Sequence, residues 1–117
     1  MIDYNGRRFR KVTDAPDPPE TLYRQEGDVI WADLAGGGVR RGALTGRCAD
    51  DGTIEMAYTM VLATGAVISG RSVNTPEFLP DGRIRLNERW ERFAPYAERG
   101  TSSIVEVVEG SAASHRG

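Results

Sequence analysis

Glu88 is the residue whose placement most invites a chemical role. It lies between Leu86 and Trp90 in an alternating stretch, so in a strand its side chain points the same way as theirs. A carboxylate among apolar groups must be paired, hydrogen-bonded or protonated, and protonation raises its pKa toward that of a general acid or base. Two interpretations stay open. Glu88 is catalytic, or it is structural, either at a barrel mouth that water reaches or in a salt bridge to Arg71, Arg40 or Arg92.

Glu106 has a similar placement, between Ile104 and Val108. If Glu88 and Glu106 both face inward, the two carboxylates could share one site and raise one of the two pKa values. Valines alternate with Glu106 on the other face of its strand, so the sequence allows either facing.

Aromatic and methionine side chains are the next candidates. Tyr58 is a candidate catalytic residue beside Glu88. Such side chains suit adaptable apolar ligand surfaces, although they equally fill an ordinary core, and both interpretations stay open. The predicted ligand-binding residues are Trp31, Met56, Met60, Arg71, Trp90 and Glu106.

Several kinds of chemistry lack their residues. Cys48 is the single cysteine, which excludes an internal disulfide and a multi-cysteine metal site. The one histidine, His115, lies near the C-terminus, so catalysis by a Ser–His or Cys–His pair is not expected. Asp50, Asp51 and Asp81 belong to turn patterns, where local backbone hydrogen bonds account for them. We therefore predict no metal site and no cofactor.

Charge and hydropathy limit the partners. Fifteen basic and 17 acidic residues give a net charge of −2, so bulk attraction to nucleic acid is not expected. No apolar run approaches the roughly 20 residues of a membrane span, and no signal-peptide pattern opens the chain. We expect a cytoplasmic protein without a membrane partner.

Short turn signals divide the chain into strand-like runs. Asn5-Gly6, Gly36-Gly37-Gly38, Asp51-Gly52 and Asp81-Gly82 are examples, and no apolar stripe of helical period spans three turns. One-sided alternation is typical of antiparallel sheets with one buried face. The sequence predicts an all-β domain over residues 1–109, followed by a disordered tail over 110–117. Its fold would be an up-and-down meander of eight or nine strands that closes into a calycin-like barrel, because closure removes two costly edges.

The predicted strands are best defined in the middle of the chain. A loop is expected near Phe93–Gly100. In the run from Val39 to Cys48, Gly42 and Gly46 share the inward phase, which indicates either strand coiling or an interior cavity. The other strand-like runs are Ile2–Tyr4, Arg7–Val12, Thr21–Glu26, Val29–Leu34, Ile54–Leu62, Ala66–Val73, Ile84–Trp90 and Ile104–Val108.

Over residues 1–109 the chain resembles a family of small bacterial proteins often labelled N-acetylglutamate synthase. Two positions depart from this family, which tends to have histidine where this chain has Met60 and Asn87. Acetyl transfer typically uses a strand, a Gly-rich turn and a helix N-terminus, whereas Gly36-Gly37-Gly38 lies between two strand patterns. The resemblance therefore implies a small β-protein without naming a reaction. It rests on Gln25-Glu26-Gly27, Gly36-Gly37, Gly42-Ala-Leu44-Thr-Gly46, Tyr58, Gly65, Gly70, Ser72, Pro76-Glu77, Asp81 to Leu86, Glu88-Arg89-Trp90, Ser102, Ile104 and Glu106.

Three functional hypotheses follow. The first is a protein that binds a small, partly apolar molecule inside the barrel. The second is a cofactor-independent isomerase, cyclase or lyase that uses Glu88 as general acid or base. The third is a homodimeric interaction module that buries an open sheet edge.

Overall fold

A computed structural model describes residues 1–16 and 18–108, and all of the regular structure in these ranges is β-strand. The strands are β1 (Arg8–Lys11), β2 (Glu20–Leu22), β3 (Arg24–Glu26), β4 (Val29–Gly36), β5 (Val39–Cys48), β6 (Ile54–Leu62), β7 (Val67–Phe78), β8 (Ile84–Ala94) and β9 (Glu98–Val107). Each strand pairs with its neighbours in antiparallel fashion, in the spatial order β2-β1-β9-β8-β7-β6-β5-β4-β3. The predicted all-β antiparallel meander is confirmed. Residues 110–117, for which a disordered tail is predicted, lie outside the described residues.

The two end strands of this sheet, β2 and β3, are consecutive in the sequence. Tyr23 alone separates them, and its backbone accepts a bond from Gly6 N at 2.8 Å and donates one to Arg7 O at 2.9 Å. A single bent segment, residues 20–26, thus pairs with β1 on one side and β4 on the other. The ring is nearly closed by the chain itself, so the open edge expected for a homodimer is largely absent from the described strands.

The barrel interior has a filled half and an open half. The filled half lies at the end of the barrel that carries the β5–β6 and β7–β8 turns. There the inward side chains are fully buried around the packed rings of Tyr4, Phe9 and Tyr23. Tyr4 Oη also donates a 2.6 Å hydrogen bond to the Gly52 carbonyl. Toward the other end, several inward side chains are only half-buried, although Ile68 is fully buried there; the half-buried ones include Leu34, Tyr58, Met60, Trp90 and Arg92. This open half is therefore less completely buried than the filled half.

The strands β5 and β6 have the predicted bounds, and others differ from them. The predicted run Thr21–Glu26 begins at Glu20 and is split at Tyr23, because that residue turns the chain from one partner strand to the other. The loop predicted near Phe93–Gly100 is short, since β8 continues to Ala94 and β9 begins at Glu98. Residues 2–4 form no strand, although Asn5-Gly6 is a turn.

Candidate functional site

A row of polar side chains crosses three strands where the filled half meets the open half. Glu88 of β8 lies opposite Asn74 of β7 and Ser102 of β9. Ser102 Oγ donates to Glu88 Oε1 at 2.9 Å, and Asn74 Nδ2 donates to Glu88 Oε2 at 3.1 Å. Ser72 Oγ in turn donates to Asn74 Oδ1 at 2.5 Å. The donors are all directed along the row toward Glu88, so its carboxylate is the acceptor at the end of the network.

Burial raises the pKa of Glu88, because an ionised carboxyl loses hydration inside the barrel. The hydrogen bond from Ser102, the nearby charge of Lys11 and the hydrogen bond from Asn74 lower it, in decreasing order of effect, and burial prevails. Burial also raises the pKa of Tyr23, and the negative charge of Glu88 raises it further. Glu88 is thus a half-buried carboxyl on the inner wall, and its pKa is raised above the ordinary value for a glutamate.

Four large inward side chains are each paired with a glycine on the neighbouring strand, and the rings of Tyr58 and Trp90 lie across their glycines. The cross-strand pairs are Met60 with Gly42, Met56 with Gly46, Tyr58 with Gly70, and Trp90 with Gly100. A Cβ at Gly42 would lie 2.7 Å from Met60 Cβ, and one at Gly100 would lie 2.5 Å from Trp90 Cζ2. Both glycines therefore lie in close contact with strand β6, where backbone atoms and the Cβ of the paired methionine leave no room for a further Cβ. Neither strand coiling nor an interior cavity is needed to explain them.

Tyr58, Trp90 and Arg92 form the wall nearest the open end. Tyr58 lies across Gly70 toward Arg92, the residue on the far side of that glycine in the sheet. Burial raises the pKa of the Tyr58 hydroxyl, although the positive charge of Arg92 opposes this. The Arg92 guanidinium lies 5.7 Å from the Trp90 ring centroid, within the range of a cation–π interaction. This wall offers an apolar surface with one cationic group.

Glu106 is inward-facing but belongs to the filled half. Arg7 Nη1 donates to both of its carboxylate oxygens, at 3.0 and 2.9 Å, and the Ile84 backbone N–H donates to it at 3.1 Å. These partners differ from those of Glu88, so the two carboxylates belong to separate hydrogen-bonding networks. Glu106 therefore joins the segment before β1, through Arg7, to strands β8 and β9, and it does not line the open half.

Two predicted ligand contacts face outward. Trp31 alternates with buried Ile30 and Ala32 and is 42% exposed, and Arg71 pairs with Glu55 on the outer surface at 3.3 Å. Neither lines the interior, because each occupies the opposite phase of its strand. A salt bridge from Glu88 to Arg71, Arg40 or Arg92 is also not observed; its hydrogen bonds come from Ser102 and Asn74.

Asn74, Ser72, Ser102 and Arg92 are site residues that sequence analysis did not select. A usable signal existed, since they share the inward phase with Glu88 once the strands are paired. The facing of β7 was the missing information. The catalytic and binding roles of Glu88, Tyr58, Met56, Met60 and Trp90 stay predictions, and the structure brings these five side chains to one inner wall.

Other surfaces offer less. A groove of about 480 Å³ runs along β8 and β9. Its lining includes Glu88 and Ser102 of the polar row together with Arg85, Asn87 and Ser103. Among the described residues, no three His, Cys, Asp or Glu side chains cluster as metal ligands. Cys48 is buried, and burial raises the pKa of its thiol. Over the same residues, no helix is long and apolar enough to cross a bilayer.

Comparisons with known proteins agree with this architecture. A search of curated proteins finds no match. A family model described as avidin-like protein matches residues 2–107, which is nearly all of the chain that forms the barrel. The match neither supports nor contradicts an acetyl-transfer activity. This match covers most of the chain and agrees with its nearly closed antiparallel sheet. The chain therefore belongs to the avidin-like protein family.

Proposed function

We propose that this protein binds a small, partly apolar molecule in the open half of the barrel. The observation that supports this most is the inner wall itself: Tyr58, Met60 and Trp90 are half-buried on it, beside the polar row that ends at Glu88. Avidin-like barrels typically bind small molecules, so the fold supports the same proposal. A ligand would place its apolar part on the aromatic wall and a hydrogen-bond donor near Glu88.

The carboxylate of Glu88 has capacity left for such a donor. Each carboxylate oxygen has two lone pairs, and each accepts one hydrogen bond, from Ser102 or from Asn74. Ser102 is half-buried on the inner face, while the adjacent Thr101 is exposed on the outer face. These neighbours provide a matched pair of substitutions for testing the location of the ligand.

The test uses the neutral fluorophore N-phenylnaphthylamine, with biotin as a second probe because of the family. Ser102→Phe fills the open half and should weaken probe binding by about tenfold or more, whereas Thr101→Phe should leave affinity within about twofold. Met60→Trp, nearer the mouth, is a second blocking variant should Ser102→Phe not fold. Native mass spectrometry of protein from its own host would identify a bound molecule. Failure of both probes to bind, with no co-purifying molecule, would contradict the proposal, as would equal effects of the two phenylalanine variants.

A second function, cofactor-free acid–base catalysis, rests on the raised pKa of Glu88 at a solvent-accessible wall beside Tyr58. On this hypothesis Glu88→Gln abolishes turnover of the bound molecule while affinity persists. Turnover that survives the substitution would exclude it.

Homodimer formation stays a proposal, and avidin-like proteins often form oligomers. Because the sheet is nearly closed, the surface that would form the dimer is the outer face and not a sheet edge. Trp31 is 42% exposed on this face. A mass measured by light scattering at increasing concentration distinguishes monomer from dimer. The cytoplasmic location likewise stays a proposal.

A further inference from the structure

Strand β9 has a free edge along the part of its length that β1 does not reach. Pairing with β1 covers Ile104 to Val107, and one further backbone bond runs from Val12 N to Ser103 O at 3.0 Å. From Glu98 to Ser102, β9 pairs with β8 alone among the strands that the structure describes. A strand with a single neighbour leaves a row of N–H and C=O groups unpaired.

The backbone groups that point out of this edge belong to Arg99 and Thr101. In an antiparallel sheet, consecutive residues direct their N–H and C=O groups to alternate neighbours. Ser103 O faces β1, so the groups of Thr101 and Arg99 face the same side, beyond the end of β1. Within residues 1–16 and 18–108 these groups have no hydrogen-bond partner. An added strand can therefore pair with them without breaking any bond of the barrel.

The opposite side of the seam is less open to an added strand. There, β3 pairs with β4 from Val29 to Trp31, and the end of β4 is covered by Pro19. A Cβ built at Gly36 would lie 3.1 Å from Pro19 Cβ. Proline has no N–H and a rigid ring, so its presence beside a strand blocks further pairing. The edge of β9 is therefore the better place for an added strand.

Arg89 lies beside the free edge without an acidic neighbour. Its cross-strand neighbours on the outer face are Thr101 and Val73, and within the described part of the chain it forms no salt bridge. An added strand would lie about 10 Å from β8, which is two strand spacings. The Arg89 guanidinium and an acidic side chain opposite Thr101 together span this distance. Arg99, opposite Glu91, is a second cationic residue at the edge itself.

We propose that the free edge of β9 docks an extended segment of another protein, which adds to the sheet antiparallel to β9 and carries an acidic residue opposite Thr101. Backbone bonds to Arg99 and Thr101 hold the segment, and Arg89 selects its charge. A second copy of this chain fits the edge less well, because pairing two β9 edges brings the charges of Arg89 and Arg99 of both copies together. The inference does not depend on the molecule proposed for the barrel interior.

Capped peptides of the sequence Thr-Val-Glu-Val-Thr test the proposal by two-dimensional NMR of the isotope-labelled protein. Titration should shift the amide signals of Arg99 and Thr101 and leave those of Thr45 and Ala57, on distant strands, unchanged. N-methylation of the central glutamate removes the N–H that faces Thr101 and should weaken binding about tenfold or more. N-methylation of a neighbouring valine, whose N–H points away from β9, is the matched control and should change affinity by less than about twofold.

Protein variants test the two contacts separately. Replacing the central glutamate of the peptide by glutamine should weaken binding to the wild type about threefold, and Arg89→Gln should abolish this preference. Arg41→Gln, on the distant strand β5, should retain it. Thr101→Pro removes one donor of the free edge while keeping the bonds between β8 and β9, so it should weaken binding about tenfold, whereas Thr101→Val should change it by less than about twofold.

The other outcomes overturn the proposal. Absence of shifts at Arg99 and Thr101 at millimolar peptide would exclude the edge as a docking site, as would equal effects of the two N-methyl peptides, a test that needs no variant to fold. Equal affinity of the wild type for the glutamate and glutamine peptides would exclude an acidic partner. Shifts at Met60 and Trp90 instead would place the peptide inside the barrel, which leaves the proposed function standing. Shifts at Arg99 that depend on protein concentration without peptide would show that a second copy occupies the edge.

Discussion

At the scale of single residues, Glu88 shows that strand phase predicts which way a side chain faces but does not predict its partners. Alternation with Leu86 and Trp90 placed its carboxyl on the inner face, and the structure shows it there. Its partners were not predictable in the same way. Asn74 and Ser102 lie 14 residues away on either side, and only strand pairing makes them neighbours.

The raised pKa of Glu88 predicts how stability changes with pH. The folded protein retains this proton at pH values where the unfolded chain has lost it, so the free energy of unfolding should decrease as pH rises from the carboxyl's ordinary 4.5 through the raised value. In Glu88→Gln this contribution disappears, because an amide does not ionise. The stability of the variant relative to the wild type should therefore increase over this pH range.

Urea unfolding at a series of pH values measures this difference. Glu91→Gln, on the outer face of the same strand, is the control for replacing a carboxyl by an amide. A difference for Glu88→Gln that does not change with pH would mean that Glu88 ionises in the folded protein as it does in the unfolded chain.

At the scale of strands, glycines opposite large side chains shape the inner wall. Gly100 is the simplest case, because the three atoms nearest to a Cβ built there all belong to the Trp90 side chain. At Gly42, by contrast, the nearest atom is the backbone carbonyl oxygen of Thr59. A flexible or shortened side chain can relieve the first clash, whereas a strand backbone cannot easily move.

We therefore predict a coupled effect between Gly100 and Trp90. Gly100→Ala should destabilise the wild type by about 1–3 kcal/mol through overpacking, and by less than about 0.5 kcal/mol in a Trp90→Leu background. Gly42→Ala in the same background should retain its full cost. A double-mutant cycle of chemical denaturation measures both. Additive effects of Gly100→Ala and Trp90→Leu would show that the indole does not lie over the glycine.

At the scale of the molecule, the barrel combines a packed half with an accessible half. Fully buried side chains such as Phe9, Ile54 and Ile84 lie in the filled half, while the other half contains mostly half-buried ones beside fully buried Ile68. Local opening is cheaper where fewer apolar side chains must be exposed. The two halves should therefore differ in local stability although every strand belongs to one sheet.

Amide hydrogen exchange should reveal this gradient. Strand-paired amides near Ile54 and Ile84 are expected to exchange through global unfolding, while those near Leu62 and Ala94 should exchange faster through local opening. Bound ligand should slow the second group more than the first. Uniform protection along all strands would contradict the division into two halves.

The sequence by itself determined the strand content, most of the strand phases and the inward facing of Glu88, Tyr58 and Trp90. These follow from alternation and turn residues, which are local properties of the chain. Only the tertiary structure decided that Trp31 and Arg71 face outward and that Glu106 is held by Arg7 in the filled half. It also decided that residues 20–26 close the ring and that Arg92 lies over Trp90. The physical reason is that these facts depend on register between strands, which pairs residues far apart in the sequence.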